Sequence, residues 1–145
     1  MDNIGVMLRA LDNRMMRFIE QRFRELDREM ITGTNGWIML YLFKNAHRDV
    51  YQRDLEAEFG ITRSTVSKVA KLMEQKGLIE RYTDDHDARQ RVLRLTDTAK
   101  EFARRMDDAK DELSARLFKG FDTEERAELD KYLIRMLRNM TEEGD

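Results

Sequence analysis

Cysteine and proline are both absent from this 145-residue chain, and histidine occurs only twice. Without Cys there can be no disulfide, no thiolate nucleophile and no cysteine-based redox sensor. Without Pro, no position is barred from a helix interior by a missing N–H. His47 and His86 are far apart among scattered carboxylates, and there is no Gly-rich phosphate loop, so neither a metal site nor a catalytic pair has support in the spacing. We expect no enzyme, no metal and no cofactor. Long apolar runs are missing too. The opening MDNIGVMLRALDNRMMRF is broken by charges every few positions, unlike a signal peptide or a membrane span, and the expected location is the cytoplasm.

What the chain has in quantity is charge. Charged residues make up 39% and hydrophobic ones 41%, a balance that suits long solvated helices with narrow apolar stripes. The length allows one ordinary domain, or a small domain with dimerisation arms. Net charge is −2, but the signs are segregated. From Arg63 to Arg94 eight cations face five anions, a local +3, which leaves −5 for the rest. A local basic footprint inside an acidic chain points to an anionic partner.

Apolar residues step by three and four from Ile4 through Leu11, Phe18, Phe23 and Leu26 to Met30, which predicts a single long helix. A second helix, capped by Thr34, is apolar nearly all round through Trp37, Ile38, Leu40, Tyr41, Leu42 and Phe43. Trp37 there suits the core or a ligand pocket. Asp49-Val50-Tyr51-Gln52 reads as a capping box opening a short helix that ends at Gly60. Thr62 then caps the next helix. Short helix, tight Gly-containing turn and second helix make a helix-turn-helix pattern.

In that second helix Val66, Val69, Ala70 and Met73 share one face, while Ser64, Ser67, Lys68, Lys71 and Gln75 share the opposite one. Hydroxyls and cations without a carboxylate are what a helix needs to approach phosphates and base edges. Gly77 supplies a left-handed stop, with Leu78 folding back onto Met73. Two strands follow, Leu78 to Thr83 and Arg91 to Leu95, the second with Leu93 and Leu95 on one face and Val92 and Arg94 on the other. The polar loop between them, Asp84 to Gln90, projects as a wing. Two more helices complete the chain. One starts at Thr96-Asp97 with Ala99, Phe102, Met106, Ala109, Leu113 and Leu117 in register, and the other at Asp122-Thr123-Glu124-Glu125 with Leu129, Tyr132, Leu133, Met136, Leu137 and Met140. Apolar stripes at both ends of the chain suggest a symmetric dimer built on a shared bundle.

The segment ITRSTVSKVAKLMEQKGLIER, followed by Asp87-Ala88-Arg89-Gln90-Arg91-Val92-Leu93-Arg94-Leu95-Thr96, resembles the MarR (multiple antibiotic resistance regulator) family of winged-helix transcription factors. The likeness extends to helix order and chain length. One departure is Lys100, where relatives often have Gly. The fold class implied is mainly α with a small β-wing. A winged helix-turn-helix domain at 31–96 would sit between a dimerisation helix at 1–30 and dimerisation helices at 97–145, intertwined in a homodimer.

The resemblance implies a regulator that binds a palindromic double-stranded DNA operator, with a helix in each major groove and the wing arginine, Arg89, in the flanking minor groove. A planar, weakly hydrated guanidinium independently suits a narrow electronegative groove. Ser64, Ser67 and Lys68 are candidates for base or phosphate contact, and Arg63, Thr65 and Lys71 for backbone positioning; Arg91 is a further DNA-binding candidate. Asp87 either pairs with Arg89 or Arg91 or accepts a hydrogen bond from the loop's own backbone. Family members often respond to small aromatic effectors, for which Phe18, Trp37 and Tyr41 are the candidate lining. The alternative is a winged-helix module for protein contacts, which has no need of an arginine on the wing tip.

Overall fold

The computed structural model describes residues 3–31 and 33–141; residues 1, 2, 32 and 142–145, which the expected domain ranges include, lie outside it. Helix α1 (Ile4–Glu20) is capped by Asn3, whose side chain accepts from the Gly5 and Val6 amides. It does not continue to Met30 as the stripe predicts. A 3-10 turn (Glu25–Asp27) and a short α2 (Arg28–Ile31) take its place. Side chains satisfy the carbonyls where the helix stops: Arg22 Nη1 donates to the Phe18 carbonyl at 2.7 Å and Arg28 Nε to that of Glu20 at 3.2 Å. Phe23 is buried beyond the break, 6.5 Å from the Phe102 ring, whereas Leu26 is 87% exposed and leaves the stripe.

Helix α3 (Thr34–Lys44) is central, with Ile38, Met39, Leu40 and Leu42 buried. Its N-cap is Gly33, at φ 60°, and Thr34 is the first helical residue rather than the cap expected. Gly36 is buried where a Cβ would come 2.6 Å from the Ile31 carbonyl oxygen and 2.8 Å from Met106 Cε, so only glycine lets α3 pass this closely.

The sheet is three-stranded and antiparallel, in the order β1 (Val50–Tyr51), β3 (Arg91–Leu95), β2 (Ile79–Thr83). Strand β1 was not expected. Val50 pairs with Leu93 and Tyr51 with Val92, which keeps both residues extended and delays α4 (Gln52–Phe59) past the expected cap at Asp49. The cap is Tyr51, whose amide donates to Asp54 Oδ2 at 2.8 Å, and Asp49 pairs with Arg94 at 3.2 Å instead. On β3, Leu93 and Leu95 are buried as expected, but Val92 on the other face is buried as well. Its neighbours on both sides are aromatic, since Tyr51 and Tyr82 are its cross-strand partners.

Helix α5 (Arg63–Gln75) follows Gly60, at φ 60°, and leads through Gly77, at φ 73°, into β2. Thr96 joins these parts. Its hydroxyl donates to the Gly77 carbonyl at 2.6 Å and accepts from the Ala99 amide at 3.2 Å, so one side chain closes the end of α5 and caps α6 (Asp97–Leu117). Lys100 makes a regular helical bond to the Thr96 carbonyl at 3.0 Å in the first turn of α6.

The chain divides into two compact units, one ending at Asp111 and the other starting at Glu112. In the second, Phe118 and Phe121 meet edge to face at 5.7 Å. Helix α7 (Thr123–Thr141) opens on the capping box expected: the Asp122 amide donates to Glu125 Oε2 at 2.9 Å, and the Glu125 amide to Asp122 Oδ1 at 2.8 Å. No described residue of α7 is buried. Tyr132, Ile134, Met136, Leu137 and Met140 are all exposed.

Candidate nucleic-acid interface

Helix α5 stands on Val66, Ala70 and Met73, each buried to 2% exposure or less. With that footing fixed, Ser64, Ser67, Lys68, Lys71 and Gln75 are exposed together on the other side. Thr62 caps the helix by accepting from the Thr65 amide at 3.3 Å, and its hydroxyl also lies 3.2 Å from that of Ser64 and 2.9 Å from that of Thr65. Three hydroxyls thus crowd a helix N-terminus whose first turn has no acidic residue, where free N–H groups favour an anion. Among the described residues, Arg63, Lys68 and Lys71 form no ion pair.

The far end of α5 is closed by two backbone bonds, Leu78 N–H to the Met73 carbonyl at 2.9 Å and Gly77 N–H to that of Glu74 at 3.0 Å. Both are the bonds of a Schellman ending. Glu74, the helix's one carboxylate, is taken up by Arg81 of β2 through two contacts of 3.1 and 3.2 Å. The Arg81 guanidinium holds the Glu74 carboxyl below its usual range, so it stays ionised and paired. Arg81 and Arg94, both cations of the basic segment, are therefore committed to carboxylates inside the domain.

The wing closes at its base, where the Asp84 amide donates to the Gln90 carbonyl at 3.0 Å. At its tip Asp87 takes both of the roles left open for it. Its Oδ1 accepts from the Arg89 amide at 3.0 Å and lies 3.6 Å from Arg89 Nε. Arg91 is not its partner. That guanidinium donates across the strand pair to Thr83 Oγ1 at 2.8 Å. The Arg89 side chain is left 92% exposed, a cation held out by a folded loop. Strand β2, which packs against α5 and pairs with β3, carries this loop in the same compact unit as the helix.

A model of the MarR family matches residues 31–90, from the end of α2 to the end of the wing loop. The whole fold is also similar to that of the transcription regulator MarR from Oenococcus oeni PSU-1, with 32% identity and a TM-score of 0.79 over 94% of this chain and 99% of that one. The chain belongs to the MarR family. S. aureus MepR in its DNA-binding conformation is another MarR-like structure with this fold, with 25% identity and a TM-score of 0.80 over 95% of this chain and 98% of its own. The transcriptional repressor MprA of Escherichia coli (strain K12) is 23% identical over 124 residues, or 86% of this chain and 70% of that protein.

The three aromatic residues suggested as ligand lining lie on α1 and α3 of this MarR-family chain. Phe18, Trp37 and Tyr41 are each half-buried. Phe18 lies under the Arg22 guanidinium at 3.5 Å, and Tyr41 meets Phe59 edge to face at 5.9 Å while its hydroxyl accepts from Arg48 at 2.7 Å. An open cleft of about 780 Å³ lies elsewhere, floored by Leu42, Val50, Leu93 and Leu95 and rimmed by Arg48 and Arg94 among others; none of the three aromatics lines it. Among the described residues no helix is long and apolar enough to cross a membrane, and no group of three or more His, Asp or Glu could hold a metal ion.

Sequence reasoning missed the residues that brace this surface. Tyr51, Glu74, Arg81 and Thr83 showed no signal because each acts through a partner seven or more positions away. The cross-strand register could have revealed Arg91 and Thr83, which face each other once the hairpin is aligned.

Proposed function

We propose that the protein is a homodimeric regulator of transcription that reads a palindromic double-stranded DNA operator. The observation that carries this reading is the acid-free face of α5 together with the exposed Arg89 on a braced wing. Helix α5 enters the major groove, with Ser64, Ser67 and Lys68 toward base edges and Arg63, Thr65 and Lys71 on the backbone. Arg89 reaches the adjacent minor groove, Asp87 shapes the loop beneath it, and Arg91 steadies the hairpin that carries it.

Residues 31–96 form the DNA-binding part, and residues 1–30 and 97–145 the dimerisation part. Support for the dimer comes from unpartnered apolar surface at both ends of the chain. Ile4, Met7, Leu8 and Leu11 of α1 are 42–58% exposed, and Leu137 and Met140 of α7 are 69% and 80% exposed. A second copy would cover these stripes. In this reading the dimer represses transcription in the cytoplasm and has no enzymatic activity. A small aromatic effector binding near Phe18, Trp37 and Tyr41 releases it from DNA.

Sedimentation of the free protein, together with a mobility shift on genomic fragments at two salt concentrations, tests the central statement. Salt-dependent binding by a dimer is expected. Failure to shift any fragment at low salt would remove DNA as the partner. A panel of phenolic compounds that changes neither melting temperature nor DNA affinity would remove the effector.

A further inference from the structure

The wing hairpin extends past the part of the sheet that supports it. Strand β1 ends at Tyr51, opposite Val92, while β2 and β3 go on to the pair Thr83 and Arg91 and then to the loop. Beyond Val92 the hairpin is a two-stranded ribbon, a form that twists freely and is marginal by itself. Tyr51 reaches across that gap. Its hydroxyl donates to Asp84 Oδ2 at 3.4 Å, and Asp84 is the residue whose amide closes the wing base on the Gln90 carbonyl at 3.0 Å. Asp84 Oδ1 accepts from the His86 amide at 3.4 Å, so a single carboxylate gathers both the tether and the turn.

The other end of the tether is equally well placed. Tyr51 is the N-cap of α4, its amide is held by Asp54, and the Arg53 guanidinium lies 4.4 Å over its ring. Helix α4 packs on α5 across the tight turn at Gly60. The chain of contacts from α5 through α4 and the Tyr51 side chain to Asp84 therefore links α5 to the wing in addition to the β-ladder, in which the Tyr51 backbone pairs with Val92. Loss of solvent around the ring, followed by the nearby Asp84 and Asp49 charges, raises the Tyr51 phenol above its ordinary range, so it remains a donor.

We propose that Tyr51 is a positioning residue for DNA binding: its hydroxyl on Asp84 sets the angle of the wing against α5 and so places Arg89 at the minor groove. The statement about Arg89 rests on the DNA-binding function proposed above, whereas the tether itself does not. Tyr51→Phe removes the hydroxyl and keeps the ring under Arg53.

In the free protein, amide exchange in Tyr51→Phe should rise about tenfold at Asp84 and Gln90 while the amides of α5 are unchanged. Asp84→Asn, whose oxygen can still accept from His86 and whose NH2 can donate to the Tyr51 hydroxyl, should behave as the parent, and Asp84→Ala should raise exchange at least as much as Tyr51→Phe. Unchanged exchange at Asp84 and Gln90 in Tyr51→Phe would overturn the tether. On an operator with A·T flanks, Tyr51→Phe should bind about threefold more weakly, and should cause no further loss in an Arg89→Ala background. An equal loss in both backgrounds would overturn the positioning role. If the parent bound no DNA at all, the proposed function would fall, and the exchange measurement would still decide the tether.

Discussion

Arg81 of β2 closes a two-bond fork on Glu74 of α5, with contacts of 3.1 and 3.2 Å. This pair is an anchor between the last turn of the recognition helix and the strand leading to the wing, and it neutralises the carboxylate nearest the basic face. Planar bidentate geometry gives it an orientation that a lysine would not.

Arg81→Ala should therefore weaken binding to every DNA sequence, because Glu74 is left ionised beside phosphates. Adding Glu74→Gln should recover much of the loss by removing that charge. Titration of parent, single and double variants on operator and random duplexes checks this. A double variant no better than Arg81→Ala would show that the arginine acts through DNA alone.

At the wing tip, Arg89→Ala should cost about 1 to 3 kcal/mol of operator affinity. Equal affinity of variant and parent on the native operator would contradict this. Lys71→Ala should act differently, weakening specific and random DNA alike and lowering the slope of log affinity against log salt by about one.

Gly36→Ala should destabilise the fold by about 1 to 3 kcal/mol, since Met106 can move aside but the Ile31 carbonyl cannot. Thermal or urea unfolding followed by circular dichroism measures it. An unchanged midpoint would mean that α3 can shift away from Ile31 at no cost.

Lys44 on α3 lies 2.8 Å from Asp107 on α6, with Lys110 at 3.5 Å from the same oxygen. The Lys44 ammonium holds the Asp107 carboxyl below its ordinary 3.8 against the opposing effect of partial burial, and Lys110 adds to the lowering. A carboxyl depressed in this way contributes stability at pH values above its unfolded pKa, and the contribution is lost as pH falls through the folded value. Asp107→Asn should accordingly melt lower than the parent near neutral pH, with the two curves converging in acid. A constant difference across the whole acid range would show that the carboxylate's charge has no part in it.

The elements legible in the sequence are those specified by neighbours three or four residues apart. Thr62 at a helix start, Gly77 and Leu78 at its end, Asp122 with Glu125, and the division of α5 into a Val66-Ala70-Met73 footing and a hydroxyl and lysine face are local, and all four are present in the structure. The family could be named from the same stretch because recognition helix and wing are adjacent in the chain.

Local pattern failed where a distant partner decided the conformation. The stripe from Ile4 to Met30 keeps a helical period across a break, since Phe23 finds its place against Phe102 in a turn as readily as in a helix. Val50 and Tyr51 are too few to show a strand period, and only Leu93 and Val92 opposite them make them extended. Composition and periodicity were thus sufficient for helices α3, α5, α6 and α7, the turn between α4 and α5, and the chemistry of the exposed face. Tertiary contact alone decided where α1 ends, that Glu74 is silenced by Arg81 and that Tyr51 reaches the wing, because each depends on groups that sequence spacing does not bring together.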